Sequence, residues 1–127
     1  MDLNALFDQT SRQIRVPAGD TVFRAGEPGN VMYVLIDGSA DILLGDSVVE
    51  RAEPGALLGE MALIDEGPRT ATVIAVTECR LIPINLDQFH TLIRQAPPFA
   101  TKVMRVMADR LRTMDRRLLE LQKRPLK

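Results

Sequence analysis

What most limits the fold of this chain is how often turn residues interrupt it. Pro17-Ala18-Gly19-Asp20, Gly26-Glu27-Pro28-Gly29, Asp37-Gly38, Gly45-Asp46 and Pro54-Gly55 punctuate the first half, and the apolar runs between them are too short for independent helices. Residues 12–16, 21–24, 31–36, 40–44 and 47–51 therefore read as strands. Residues 70–76 and 80–84, around a turn at Thr77-Glu78, add two more. The turn at residues 26–29 needs a positive φ somewhere, and Asp37-Gly38 suits a hairpin. Short strands at such close spacing predict a mainly β fold, an antiparallel sandwich or barrel with jelly-roll connections.

One segment breaks the strand pattern. Gly59-Glu60-Met61-Ala62-Leu63-Ile64 reads as one or two helical turns, ended by Asp65-Glu66-Gly67-Pro68 before the next strand. A short helix opened by glycine presents free backbone N–H groups and the positive end of its dipole to an anion. Arg69, just past the turn, could bring a planar guanidinium to the same anion, two donors to two phosphate oxygens. Glu60 would repel a phosphate but accept hydrogen bonds from a neighbouring sugar hydroxyl. Together the pair points to a nucleotide. The same two residues could instead close the loop as a structural ion pair.

Gly59-Glu60-Met61-Ala62-Leu63 with Pro68-Arg69-Thr70-Ala71-Thr72-Val73 closely resembles the phosphate-binding cassette of cyclic nucleotide-binding domains. That family includes catabolite-activator-type regulators, kinase regulatory subunits and cyclic-nucleotide-gated channels. The resemblance runs over residues 10 to 122 and includes the turns at Gly26-Glu27-Pro28-Gly29 and Asp37-Gly38. It implies an antiparallel jelly-roll barrel over about residues 10–84, helices over about 85–122 with the last one long, and one domain over 1–127. It also implies roles. Arg69 pairs with the cyclic phosphate, Glu60 takes the ribose 2′-hydroxyl, and Gly59 lets the backbone approach. Within Met61-Ala62-Leu63, the N–H groups of Ala62 and Leu63 complete the cradle. Thr70 gives its hydroxyl to a phosphate oxygen or to the amine of a syn guanine, and Ala71 is small so that the ligand lies flat. Met114 and Asp115 are expected over the base, Asp115 able to accept from guanine and Met114 to stack on either base. Cyclic AMP is the expected ligand, cyclic GMP the alternative.

Composition changes after residue 84. Asn85 and Gln88 have capping-box spacing ahead of an apolar face of Leu86, Phe89, Leu92 and Ile93, which Pro97-Pro98 is expected to interrupt. A longer helix is predicted over residues 99–121. Its Ala100, Met104, Met107, Leu111, Met114, Leu118 and Leu121 are spaced four, three, four, three, four and three apart, an a/d heptad seam. The seam predicts a parallel homodimer through this helix; the alternative is packing along the chain's own barrel. Val103 and Val106 widen the apolar face near the start.

The remaining features exclude more than they suggest. A net charge of −1 over 127 residues gives no bulk attraction to nucleic acid or anionic membrane, and no apolar stretch is long enough for a membrane span. A single cysteine forms no internal disulfide, and with no apolar signal segment this suggests a reducing, cytoplasmic compartment. Cys79 is expected as a half-buried inert thiol, His90 as a solvated side chain, and Met61, Met104, Met107 and Met114 as core or seam. The basic cluster of Arg110, Arg112, Arg116, Arg117, Lys123, Arg124 and Lys127 is interspersed with acids and reads as a solvated flank. Leu3, Leu6 and Phe7 could dock a short N-terminal turn. No nucleophile stands beside a base and no carboxylate pair suits hydrolysis, so a binding domain is expected: a stand-alone sensor signalling through an effector protein or, as alternatives, the regulatory piece of a larger transcription factor or channel, or a scaffold domain with a vestigial pocket. Residues 122–127 hold no helix-turn-helix, so direct reading of DNA is not expected.

Overall fold

The computed structural model of the protein describes residues 12–65 and 67–123. The expected docking of Leu3, Leu6 and Phe7, and the basic residues Arg124 and Lys127, lie outside the described residues. Two antiparallel sheets of four strands form the first part. One runs in the order β1 (Ile14–Val16), β8 (Cys79–Ile84), β3 (Met32–Asp37), β6 (Leu57–Leu58); the other runs β2 (Thr21–Phe23), β7 (Thr72–Ala75), β4 (Ala40–Leu44), β5 (Ser47–Ala52). Consecutive strands repeatedly change sheet, the jelly-roll connection pattern, but the two ladders do not close into a barrel.

The core shared by the two sheets holds Val16, Phe23, Leu35, Ile42, Leu58, Val73 and Leu81 among others. In β3 and β8 the alternate residues Met32, Val34, Ile82 and Ile84 are buried as well. That two-sided burial is why residues 31–36 form a continuous apolar run rather than an alternation. The edge strand β5, by contrast, exposes Val48 and pairs Arg51 with Asp41 across to β4.

Three helices complete the described residues: α1 (Glu60–Ile64), α2 (Leu86–Gln95) and α3 (Pro97–Lys123). The capping box expected at residue 85 is formed. Asn85 N–H donates to Gln88 Oε1 and Gln88 N–H to Asn85 Oδ1, both at 2.8 Å. Helix α2 ends at Gln95, ahead of Pro97-Pro98 as expected, but the longer α3 begins at Pro97 rather than at about residue 99, because a proline in the first turn gives up only an N–H that has no helical partner. The chain divides into two compact units, Met1–Thr91 and Leu92–Lys127, within what the sequence reading takes as one domain. In the second unit Phe99 and Val103 are buried, while the seam residues Leu111 and Leu118 are 64% and 57% exposed. No helix among the described residues is long and apolar enough to cross a membrane.

Candidate functional site

Of the charged side chains among the described residues, two are buried: Glu60 at 2% exposure and Arg69 at 6%. They are the pair singled out from the sequence. Gly59 caps α1 with φ 75°, ψ 21°, a left-handed conformation that costs an L-residue about 1–2 kcal/mol and glycine nothing. This turns the chain sharply from β6 into α1, and Ala62 and Leu63 become the buried face of that helix. Met61 corrects an expectation. It is 44% exposed rather than packed in the core, because a helix this short buries only one side.

Arg69 is fixed at both ends. Its backbone is bracketed by the β2–β3 loop, since Gly26 N–H donates to the Arg69 carbonyl and Arg69 N–H to the Glu27 carbonyl, both at 2.8 Å. Pro28 and Pro68 form a bridge alongside. At the other end, Nη1 donates to the Gly59 carbonyl at 3.3 Å, and Cζ stands 4.2 Å over the centre of the Phe23 ring and 5.8 Å from that of Tyr33. Burial pulls the guanidinium below its ordinary pKa, opposed by Tyr33 and Glu27; an arginine in that condition still carries its proton. Glu60 Oε2 is enclosed and accepts no hydrogen bond among the described residues.

The other sequence-predicted residues separate. Thr70 is exposed beside Arg69, and Ala71 packs part-buried against the core. Thr72, which was not singled out, accepts a hydrogen bond from Ala25 N–H at 3.0 Å and ties the same loop to β7. Met114 and Asp115 stand exposed on α3, in the second unit. A recess of about 510 Å³ is lined by Gly26, Pro28, Gly29, Ala62, Leu63 and Pro68, among others; it takes in three cassette residues but not Gly59, Glu60 or Arg69. Sequence reasoning missed Phe23, Tyr33 and Gly29, which reach Arg69 from strands or loops 36 or more residues away. A core-type aromatic and a loop glycine carry no local signal of that contact.

Comparison with known proteins agrees with this geometry. The family model for the cyclic nucleotide-binding domain matches residues 13–96. A CRP-like cAMP-activated global transcriptional regulator of Mycobacterium tuberculosis is 33% identical over 112 residues, covering 83% of this chain and 49% of that protein. A cyclic nucleotide-gated potassium channel of Mesorhizobium japonicum is 40% identical over 85 residues, covering 67% of this chain and 23% of the channel. The crystal structure of the Thermus thermophilus catabolite activator protein superposes with a TM-score of 0.76 at 31% identity, covering 88% of this chain and 55% of that one. The chain thus spans half or less of the curated relatives described here. With a matched model over most of its length and a buried Glu60 and Arg69 at the head of α1, the chain belongs to the cyclic nucleotide-binding domain family.

Proposed function

We propose that this domain is a cyclic nucleotide sensor, with cyclic AMP as ligand and cyclic GMP as the competing reading, and that ligand binding is coupled to the C-terminal helix. The observation that carries this is the burial of Arg69 against a neutral carbonyl and ring faces, which leaves a desolvated cation beside the opening of α1. In this reading Arg69 pairs with the cyclic phosphate and Glu60 accepts from the 2′-hydroxyl. Gly59 and the N–H groups of Ala62 and Leu63 line the phosphate, with Thr70 and Ala71 beside it. Met114 and Asp115 act on the base, so Asp115→Ala should change the ratio of cyclic GMP to cyclic AMP affinity. Coupling would be a population shift between two packings, and the exposed a/d seam of α3 supports a homodimer. Calorimetric titration of the chain with cyclic AMP and cyclic GMP tests the reading: saturable binding of either is expected, and binding of neither would overturn it.

A further inference from the structure

Gly29 presents an oddity among the turn glycines. Six others, Gly19, Gly26, Gly38, Gly45, Gly55 and Gly59, have positive φ and need glycine for that reason. Gly29 does not, so its backbone would accept any L-residue. What it lacks is room. A Cβ placed there would lie 2.5 Å from Arg69 Cζ and 2.9 Å from Nη2, and closer still to Nε. A Cβ on Gly59 would overlap Nη1 and come within 3.2 Å of Phe23. The guanidinium therefore occupies a slot. Gly29 and Gly59 bound its edges, and the Phe23 ring, 4.2 Å away, lies under its face. Phe23 is buried and stacks on Tyr33 with ring centres 6.1 Å apart and planes 20° from parallel, joining β2 of one sheet to β3 of the other. The floor is thus anchored in both sheets.

We propose that Gly29 and Phe23 are positioning residues for anion recognition, setting the plane and depth of the Arg69 guanidinium before a ligand arrives. This rests on the reading of Arg69 as the phosphate contact. A planar fork gives two parallel hydrogen bonds only when its plane is held, so an arginine free to swing would lose affinity with its charge intact. The three atoms nearest a methyl at residue 29 all belong to the Arg69 guanidinium, the far end of a flexible side chain, so Gly29→Ala displaces the guanidinium at little cost to the fold.

Two measurements on the intact chain test this. By NMR, the Arg69 Nε–Hε resonance, identified by its loss in Arg69→Lys, should be shifted upfield by the Phe23 ring and return to an ordinary position in Gly29→Ala and in Phe23→Leu. By calorimetry, Gly29→Ala should raise the Kd for cyclic AMP by about tenfold or more while keeping the melting temperature, and should add nothing in an Arg69→Ala background. An unshifted resonance in the wild type, wild-type affinity in Gly29→Ala, or an equal loss in the Arg69→Ala background would each overturn the proposal. Failure of the wild type to bind either cyclic nucleotide would overturn the ligand reading instead, and the resonance alone would then decide whether the slot positions Arg69.

Discussion

A carbonyl and two ring faces return only part of what the Arg69 guanidinium loses on leaving water, and its lowered pKa registers the shortfall. An incoming phosphate would supply the missing charge-assisted bonds. Arg69→Ala should therefore weaken cyclic nucleotide binding by about 2 kcal/mol or more, roughly thirtyfold in Kd by calorimetry, and unchanged affinity would remove the role assigned to it. Cys79 shows the opposite use of burial. It is fully enclosed rather than half-buried as expected, and its Sγ contacts the carbonyls of Ser39 at 3.3 Å and Thr77 at 3.4 Å. Burial first, and then the charge of Asp37, push its thiol pKa up. The unfolded chain loses this proton at the ordinary thiol value, about 8.5, before the folded chain does. The unfolded state then binds fewer protons, so this contribution to stability is whole below that pH and is lost as pH rises through the folded value. Denaturant melts above pH 8.5 should thus fall less steeply with pH in Cys79→Ala than in the wild type, and a native-state thiol assay should find Cys79 unreactive.

At the level of elements, local chemistry was most legible where it was self-contained. The Asn85/Gln88 box needs only residues three apart, and it forms as expected. Asn85→Ala should cost about 1 kcal/mol of stability, read as a lower denaturation midpoint, with nucleotide affinity little changed. The opening of α1 is different, since Gly59 serves the backbone and the site together. Gly59→Ala forces a left-handed alanine and crowds Arg69. It should lose about 1–2 kcal/mol of stability and binding as well, whereas Gly29→Ala loses binding alone. Strand β6 escaped the sequence reading because two residues carry no period. Leu57 and Leu58 become a strand only by pairing with Val34 and Tyr33.

Across the whole molecule the open question is what covers the apolar seam of α3. At about 1.5 Å per residue, the 27 residues of this helix extend roughly 40 Å. Along it Met104, Leu111, Met114, Leu118 and Leu121 are exposed at coiled-coil spacing. Leu119 is exposed too, off the seam, which broadens the stripe. The intact chain should sediment as a dimer, and Leu111→Glu with Leu118→Glu should convert it to a monomer that keeps its nucleotide site. A wild-type monomer at all concentrations would show that the seam does not pair two copies of this chain.

The alternation of short apolar runs and turns was enough to specify antiparallel strands, since a residue's place inside or outside a sheet follows a period of two. The order Gly59, Glu60 and Arg69 around a breaking turn was likewise enough to single out the two charged side chains that are buried among the described residues. Neither pattern says which distant residues meet. That Phe23 slides beneath the guanidinium and that Gly29 stands aside for it follow from how strands and loops distant in sequence pack together, and so does the burial of β3 and β8 on both faces, only one of which faces the other sheet. Contacts of that kind join residues far apart in the chain, and they are selected by packing rather than by local propensity.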